Sequence, residues 1–197
     1  MKPLLILISG KKGVGKDTFA SFFRNFSKIA LADSLKANLL VILNEFLFLK
    51  PQISLHDMYY NKEMLIDIPF ANGERRTLRI WMQQYGQLMK KLFGEHYWSD
   101  IVVRVINEEL PTKNVIITDV RFPNELTRIK EKLGNSYVIT AIRIKRDTGF
   151  IDSDPSETSL DSYSDDTFDF LVDNNRSLDD LMEEFRSIYN NILSVAK

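Results

Sequence analysis

The sequence predicts an α/β fold in which a parallel sheet of about five strands lies between helices. Three observations carry that expectation. Residues 3–8, PLLILI, form a continuous apolar run of strand length, as a strand covered on both faces requires. Similar short runs recur at 28–32, 114–119, 137–144 and 168–174. The segments between them change to helical periodicity, and right-handed strand–helix–strand crossovers then give a parallel sheet.

The elements follow in order. After the first strand the pattern changes at Lys16, from which Phe19, Phe22, Phe23 and Phe26 share one helix face. KIALA (28–32) reads as a second strand. A helix from Ser34 to about Phe48 follows, ended by Pro51. Residues 51–111 contain little that reads as buried strand and suggest a helical insertion, with segments around 54–66, 77–92 and 97–109. NVIITD (114–119) restores strand character. A helix from Pro123 to Leu133 stops at Gly134, and YVITAIRI (137–144) is the next strand. FDFLVDN (168–174) is another, and Ser177 caps a last helix through about Leu193. The core is therefore expected at 1–50 and 112–197, with the insertion at 51–111. Residues 147–167, rich in Asp and Ser, read as a long loop, and a lid is expected within 145–162. Ligands of such sheets bind beyond the carboxyl ends of the strands.

Composition narrows the function classes. The chain has 197 residues, and 26 basic against 27 acidic side chains leave a formal charge of -1. That provides no global basic field for nucleic acid or an anionic membrane. Cysteine is absent, which excludes disulfides and cysteine-ligated zinc, and two histidines argue against a histidine-rich metal site. The apolar start is too short to span a membrane and lacks the features of a signal peptide. A cytoplasmic protein is expected.

The most specific motif is SGKKGVGKDTFA (9–20), which follows the first strand. Phosphate binding requires several N–H donors converging with no side chains in the way. Gly10, Gly13 and Gly15 permit such a path through Lys12 and Val14, and a helix opening at Lys16 adds its positive end. Lys16 is the cation for the β- and γ-phosphates. The pattern G-x-x-x-x-G-K-[ST] is met except at its last position, where Asp17 stands and the hydroxyl comes one place later, at Thr18. Asp17 suits a magnesium ligand, direct or through water. It also suits a plain helix acid in the first turn. Thr18 is a candidate for the α-phosphate.

VIITDVRFPNE ends the third strand with an acid and places an arginine two residues on. Asp119 stands where such proteins hold a carboxylate that orients magnesium or its water. The planar fork of Arg121 suits a phosphate. Glu125 either orients Arg121 or belongs to the first turn of the following helix.

With these motifs in place the chain resembles bacteriophage deoxynucleoside monophosphate kinases, of the P-loop nucleoside monophosphate kinase group. The resemblance runs in order through SGKKGVGKDT (9–18), LADSLK (31–36), RIWMQQYG (79–86), YW (97–98), TDVRFPNE (118–125), SET (156–158) and DNNRSLDDL (173–181). It implies a P-loop kinase fold with a helical acceptor-binding insertion and a lid, ATP and magnesium as cofactors, and γ-phosphoryl transfer to a deoxynucleoside monophosphate. It also implies a homodimer, in the host cytoplasm if the gene is a phage's. By motif, Lys16, Asp17 and Thr18 serve ATP and metal, Lys36 and Arg79 approach the acceptor, and Asp119 and Arg121 lie between the two phosphates. The chain departs from the pattern at Lys90 and Lys91, where an arginine is expected, and it matches poorly over 87–96. Animal phosphomevalonate kinases share the GKD ending and the D-x-R strand end, so those motifs alone do not fix the acceptor.

On this reading Trp81, Tyr85 and Trp98 form a slot for the acceptor base, with Gln83 or Gln84 reading its polar edge; the competing reading makes the rings core. In RIKRD, Arg143 is placed for a structural role, whereas Lys145 and Arg146 are placed to close over ATP. Glu157 either holds the lid or meets the acceptor. Asn174 and Asn175 are candidates for the adenine pocket or a plain turn.

Overall fold

The computed structural model describes residues 2–149 and 155–195. Two compact units divide the chain, residues 1–31 with 99–197 and residues 32–98. The expected insertion, 51–111, overlaps the second unit but differs at both ends. Residues 32–50 join that unit, and 99–111 belong to the first.

The first unit contains one five-stranded sheet: β1 (Leu4–Ser9), β2 (Ser27–Ile29), β3 (Val115–Val120), β4 (Val138–Lys145) and β5 (Phe170–Asp173). The spatial order is β2-β3-β1-β4-β5, with every pairing parallel. All carboxyl ends therefore lie along one edge, at Ser9, Ile29, Val120, Lys145 and Asp173. β1 is central and its six residues are all buried, which explains its unbroken apolar run. Leu5 and Leu7 join a core with Ile117, Leu126, Ile129 and Leu133, the last three from α6 (Pro123–Leu133). Leu4, Ile6 and Ile8 join the opposite core, with Phe19 and Phe23. The two faces of one strand thus seed two cores, as period-2 alternation requires.

Several local readings are revised. α1 (Lys16–Ser21) ends before the phenylalanine pattern does. Phe22 and Phe23 bond three residues back instead of four, and their rings pack with Phe185 and Tyr189 of the last helix, α8 (Leu178–Val195). Side-chain packing, not helix continuity, produces that spacing. α8 is capped as expected, with the Ser177 hydroxyl accepting from the Asp180 N–H at 3.2 Å.

The second unit opens with α2, which runs Leu31–Val41 from the last residue of the first unit, and continues as a π-helical turn, Ile42–Phe46. Asn44 in that turn binds the backbone of Ile53 in both directions, a tertiary contact that one-dimensional periodicity does not reveal. α3 is Leu55–Tyr60 and α4 is Leu78–Phe93. The helix expected to reach residue 66 stops at Tyr60, and an antiparallel turn follows, in which Ile66 bonds Arg76 and Leu78 bonds Met64. α5 (Tyr97–Glu109) leads into the first unit. Leu39, Leu43, Met58, Ile66 and Leu78 form the second unit's own core. No helix among the described residues is long and apolar enough to cross a membrane.

Candidate functional site

The loop between β1 and α1 lies at the carboxyl edge of the sheet. Gly15 has φ +95°, and a Cβ there would sit 2.5 Å from the Asn174 side-chain nitrogen. At Gly10 a Cβ would meet the Ile144 carbonyl at 2.5 Å. Both glycines are fixed by space, and Gly15 also by its left-handed backbone. Among the described residues, no protein acceptor meets the N–H groups of Gly13, Gly15, Lys16, Asp17 or Thr18. These donors are what an anion would find.

Lys16 turns back over the loop. Its ammonium donates to the carbonyls of Gly10 and Lys11, at 2.7 Å each. An ammonium has three donors, so two are spent in aiming the third. Burial lowers the Lys16 pKa to about 8, with the Arg121 charge acting in the same direction and Glu157, Asp17 and Asp119 opposing. Those four charges all reach Lys16, which places the residues expected from the two motifs in one field.

Asp119, at the end of β3, accepts the Leu31 N–H at 2.6 Å. Arg121 ion-pairs with Glu157, a residue brought from α7 (Pro155–Thr158). The same Glu157 carboxylate accepts the Lys12 N–H at 2.7 Å. Burial opposes the charge on Arg121, but Glu157 and Asp119 more than offset it and hold the guanidinium protonated. Glu125 accepts the N–H groups of Arg121 and Phe122 at 2.8 and 3.0 Å. It therefore orients the backbone that carries Arg121 while capping α6, so both sequence readings of Glu125 meet in one contact.

A cavity of about 400 Å³ opens beside the loop, lined by Gly10, Lys11, Arg121, Lys145, Arg146 and Asn175 among others. Arg143 is buried and donates to the carbonyls of Leu160 and Tyr163, at 2.8 and 3.2 Å, and to Asp165. Its role is to hold the segment after α7. Lys145 pairs with Asp165 on that same segment. Arg146 is exposed at the cavity. Residues 150–154, within the expected lid, lie outside the described residues.

Asn174 departs from its expected place in a base pocket. It is buried, and its amide donates to the Val14 carbonyl at 2.9 Å, beneath the loop. Asn175 instead faces the cavity. Magnesium shared with nucleotide phosphates needs only one or two carboxylates, and Asp17, exposed in the first turn of α1, and Asp119 supply that number.

The second unit holds the remaining candidates. Lys36 is buried, 3.3 Å from Asp33, with its ammonium 3.7 Å above the Tyr59 ring. The Tyr59 hydroxyl donates to Asp33 at 2.5 Å. Asp33 and Tyr59 were not singled out from sequence, although Asp33, one turn before Lys36, is the kind of spacing that flags a pair. Arg79 pairs with Glu63 at 2.6 Å. The three-ring slot does not form. Trp81 packs on Phe70, with centroids 4.7 Å apart, while Tyr85 meets Trp98 edge-on. Trp98 is 4% exposed and its indole N–H goes to the Gly86 carbonyl, so Trp98 is core. Trp81 and Tyr85 border the core, and Gln83 is half-buried on the same helix.

No protein-family profile matches the chain. A protein of Acanthamoeba polyphaga mimivirus with the provisional name deoxynucleotide monophosphate kinase is 29% identical over 204 residues, covering 95% of this chain and 97% of that protein. Among solved structures, dephospho-CoA kinase from Campylobacter jejuni is similar at 14% identity and TM-score 0.49, covering 95% of this chain and 96% of the other. The APS kinase CysC of Mycobacterium tuberculosis is similar at 11% identity and TM-score 0.41, with 98% of each chain covered.

Proposed function

We propose that this chain is an ATP- and magnesium-dependent kinase that transfers the γ-phosphoryl group to a deoxynucleoside 5′-monophosphate. The observation that carries this reading is an amide-lined loop over which Lys16 folds back, and whose Lys12 N–H is tied through Glu157 to Arg121 from the end of β3. The name of the mimivirus relative supports the choice of acceptor.

In the reaction an oxygen of the acceptor's phosphate bonds to the γ-phosphorus. The bond from that phosphorus to the β–γ bridging oxygen breaks, and ADP leaves. Little covalent work falls to the protein, whose task is positioning and charge neutralisation. The free amides of Gly13, Gly15 and Lys16 hold the donor phosphates, with Thr18 at the α-phosphate. Lys16 presents its third N–H to the β- and γ-oxygens. Arg121, kept charged and aimed by Glu157, spans the transferring group. Asp17 and Asp119 would hold magnesium, which neutralises charge on the phosphates when bound. Arg146, which lines the cavity, would close over the donor. Lys36 and Arg79 serve the acceptor phosphate, with Tyr85 and Gln83 toward its base.

An ATP-coupled ADP-release assay across the common nucleoside and deoxynucleoside monophosphates tests this. Acceptor-dependent turnover with deoxynucleotides is the expected result. ATP turnover stimulated by none of them, or only by a non-nucleotide phosphate, would refute the reading.

A further inference from the structure

The side chain of Asn174 is buried against the loop, where it touches the Val14–Gly15 peptide. Its Nδ2 donates to the Val14 carbonyl at 2.9 Å in a buried contact spanning 160 positions of sequence. Its own N–H extends the β4–β5 ladder by donating to the Lys145 carbonyl at 2.8 Å. Asn174 is therefore rigidly mounted on the sheet.

The carbonyl it holds belongs to the Val14–Gly15 peptide. A trans peptide is planar, with its C=O and N–H pointing in opposite directions. Fixing the Val14 oxygen onto Asn174 therefore turns the Gly15 N–H the opposite way, away from that side chain. That N–H is among those with no protein acceptor. The fit is close: a Cβ on Gly15 would lie 2.5 Å from the same nitrogen, so the amide and the glycine occupy complementary space.

We propose that Asn174 is a positioning residue for donor-phosphate binding, which sets the plane of the Val14–Gly15 peptide so that the Gly15 N–H faces the polyphosphate. The inference rests on the kinase reading above, and adds a residue whose action is on the loop and not on the base. It requires an amide donor at 174, not merely a side chain of that size.

The test uses the full chain with Asn174→Ala and Asn174→Asp, titrated with Mg·ATP and with inorganic tripolyphosphate. Losing one aimed N–H to a charged phosphate should weaken both ligands about ten- to hundredfold in either variant at pH 8. In turnover, KM for ATP should rise by that factor, with kcat and the acceptor KM within about threefold of wild type. Asn174→Asp carries the decisive readout. A carboxylate repels the Val14 carbonyl, but its protonated form donates an O–H. Its affinity relative to wild type at the same pH should therefore recover as pH falls from about 8 to about 5, whereas Asn174→Ala should not recover. Unchanged Mg·ATP affinity in Asn174→Ala, or an Asp variant with no pH-dependent recovery, overturns the proposal. Wild-type protein that binds neither ligand removes the kinase reading and this inference together; wild-type binding with unresponsive variants removes the inference alone.

Discussion

The pKa of Lys16 makes a quantitative prediction about donor binding. The free protein holds this ammonium near a pKa of about 8, against an ordinary 10.5, because of burial and the nearby guanidinium of Arg121. A bound polyphosphate supplies the missing counter-charge and should return the group to its ordinary range. At pH 7 about nine-tenths of the free protein carries the proton, and at pH 9 about one-tenth. Binding must then take up the difference. The Kd for Mg·ATP should rise about tenfold, ~1.4 kcal/mol, between pH 7 and pH 9, with about 0.9 proton taken up per nucleotide at pH 9. Nucleotide phosphates have already lost their last proton in this range, since their second pKa lies near about 6. Titration calorimetry in two buffers of different ionisation enthalpy measures the proton count directly. Lys16→Met should bind far more weakly and take up no proton. The folded state holds fewer protons than the unfolded chain between about pH 8 and 10.5, so this lysine makes the protein more stable as pH rises through that window. Relative to Lys16→Met, the wild-type chain should accordingly gain about 1–3 kcal/mol of stability, after solvent screening, between pH 7 and about pH 10.5. Zero proton uptake at pH 9, with a Kd flat from pH 7, would refute the argument.

Three further outcomes are expected. Glu157→Ala removes the carboxylate that bridges Arg121 and the Lys12 N–H; it should cost about 2–4 kcal/mol in a urea melt and lower kcat, and an unchanged midpoint would count against it. Arg143→Met leaves the carbonyls of Leu160 and Tyr163 without their donor, and should expose the 155–167 segment to limited proteolysis while stability falls by about 3 kcal/mol. Asp17→Ser should shift the magnesium titration of activity to higher concentration, and an unmoved midpoint would leave Asp17 as a helix acid alone.

The parts legible in the sequence are those written in short stretches. Apolar runs located all five strands, although KIALA (28–32) overruns β2, which stops at Ile29 because Leu31 already opens α2. α6 was bounded to the residue, since Pro123 opens it and Gly134 follows it. The Gly10–Thr18 loop was readable because glycine and lysine at set intervals have few other uses. Strand order is different in kind: β1 lies between β3 and β4, and no local pattern encodes which neighbour a buried strand chooses. The same is true of the site's supports. Glu157 reaches the loop across 145 residues and Asn174 across 160, so from sequence Glu157 reads as a lid or acceptor contact and Asn174 as an adenine-pocket candidate or plain turn, and neither as a support of the loop. Trp98 misled in the opposite sense, since an aromatic beside another aromatic reads equally as a base slot or as core.

The Asn174–Val14 contact has a consequence for the chain as it is made. The loop's signature leaves the ribosome before the residue that clamps it, which follows β5. A nascent chain could display the whole glycine-lysine signature and still grip nothing, because its peptide planes are free to rotate. Nucleotide capture would then begin only when the carboxyl-terminal third docks, so that ligand retention reports on complete folding more faithfully than any spectroscopic measure of helix content.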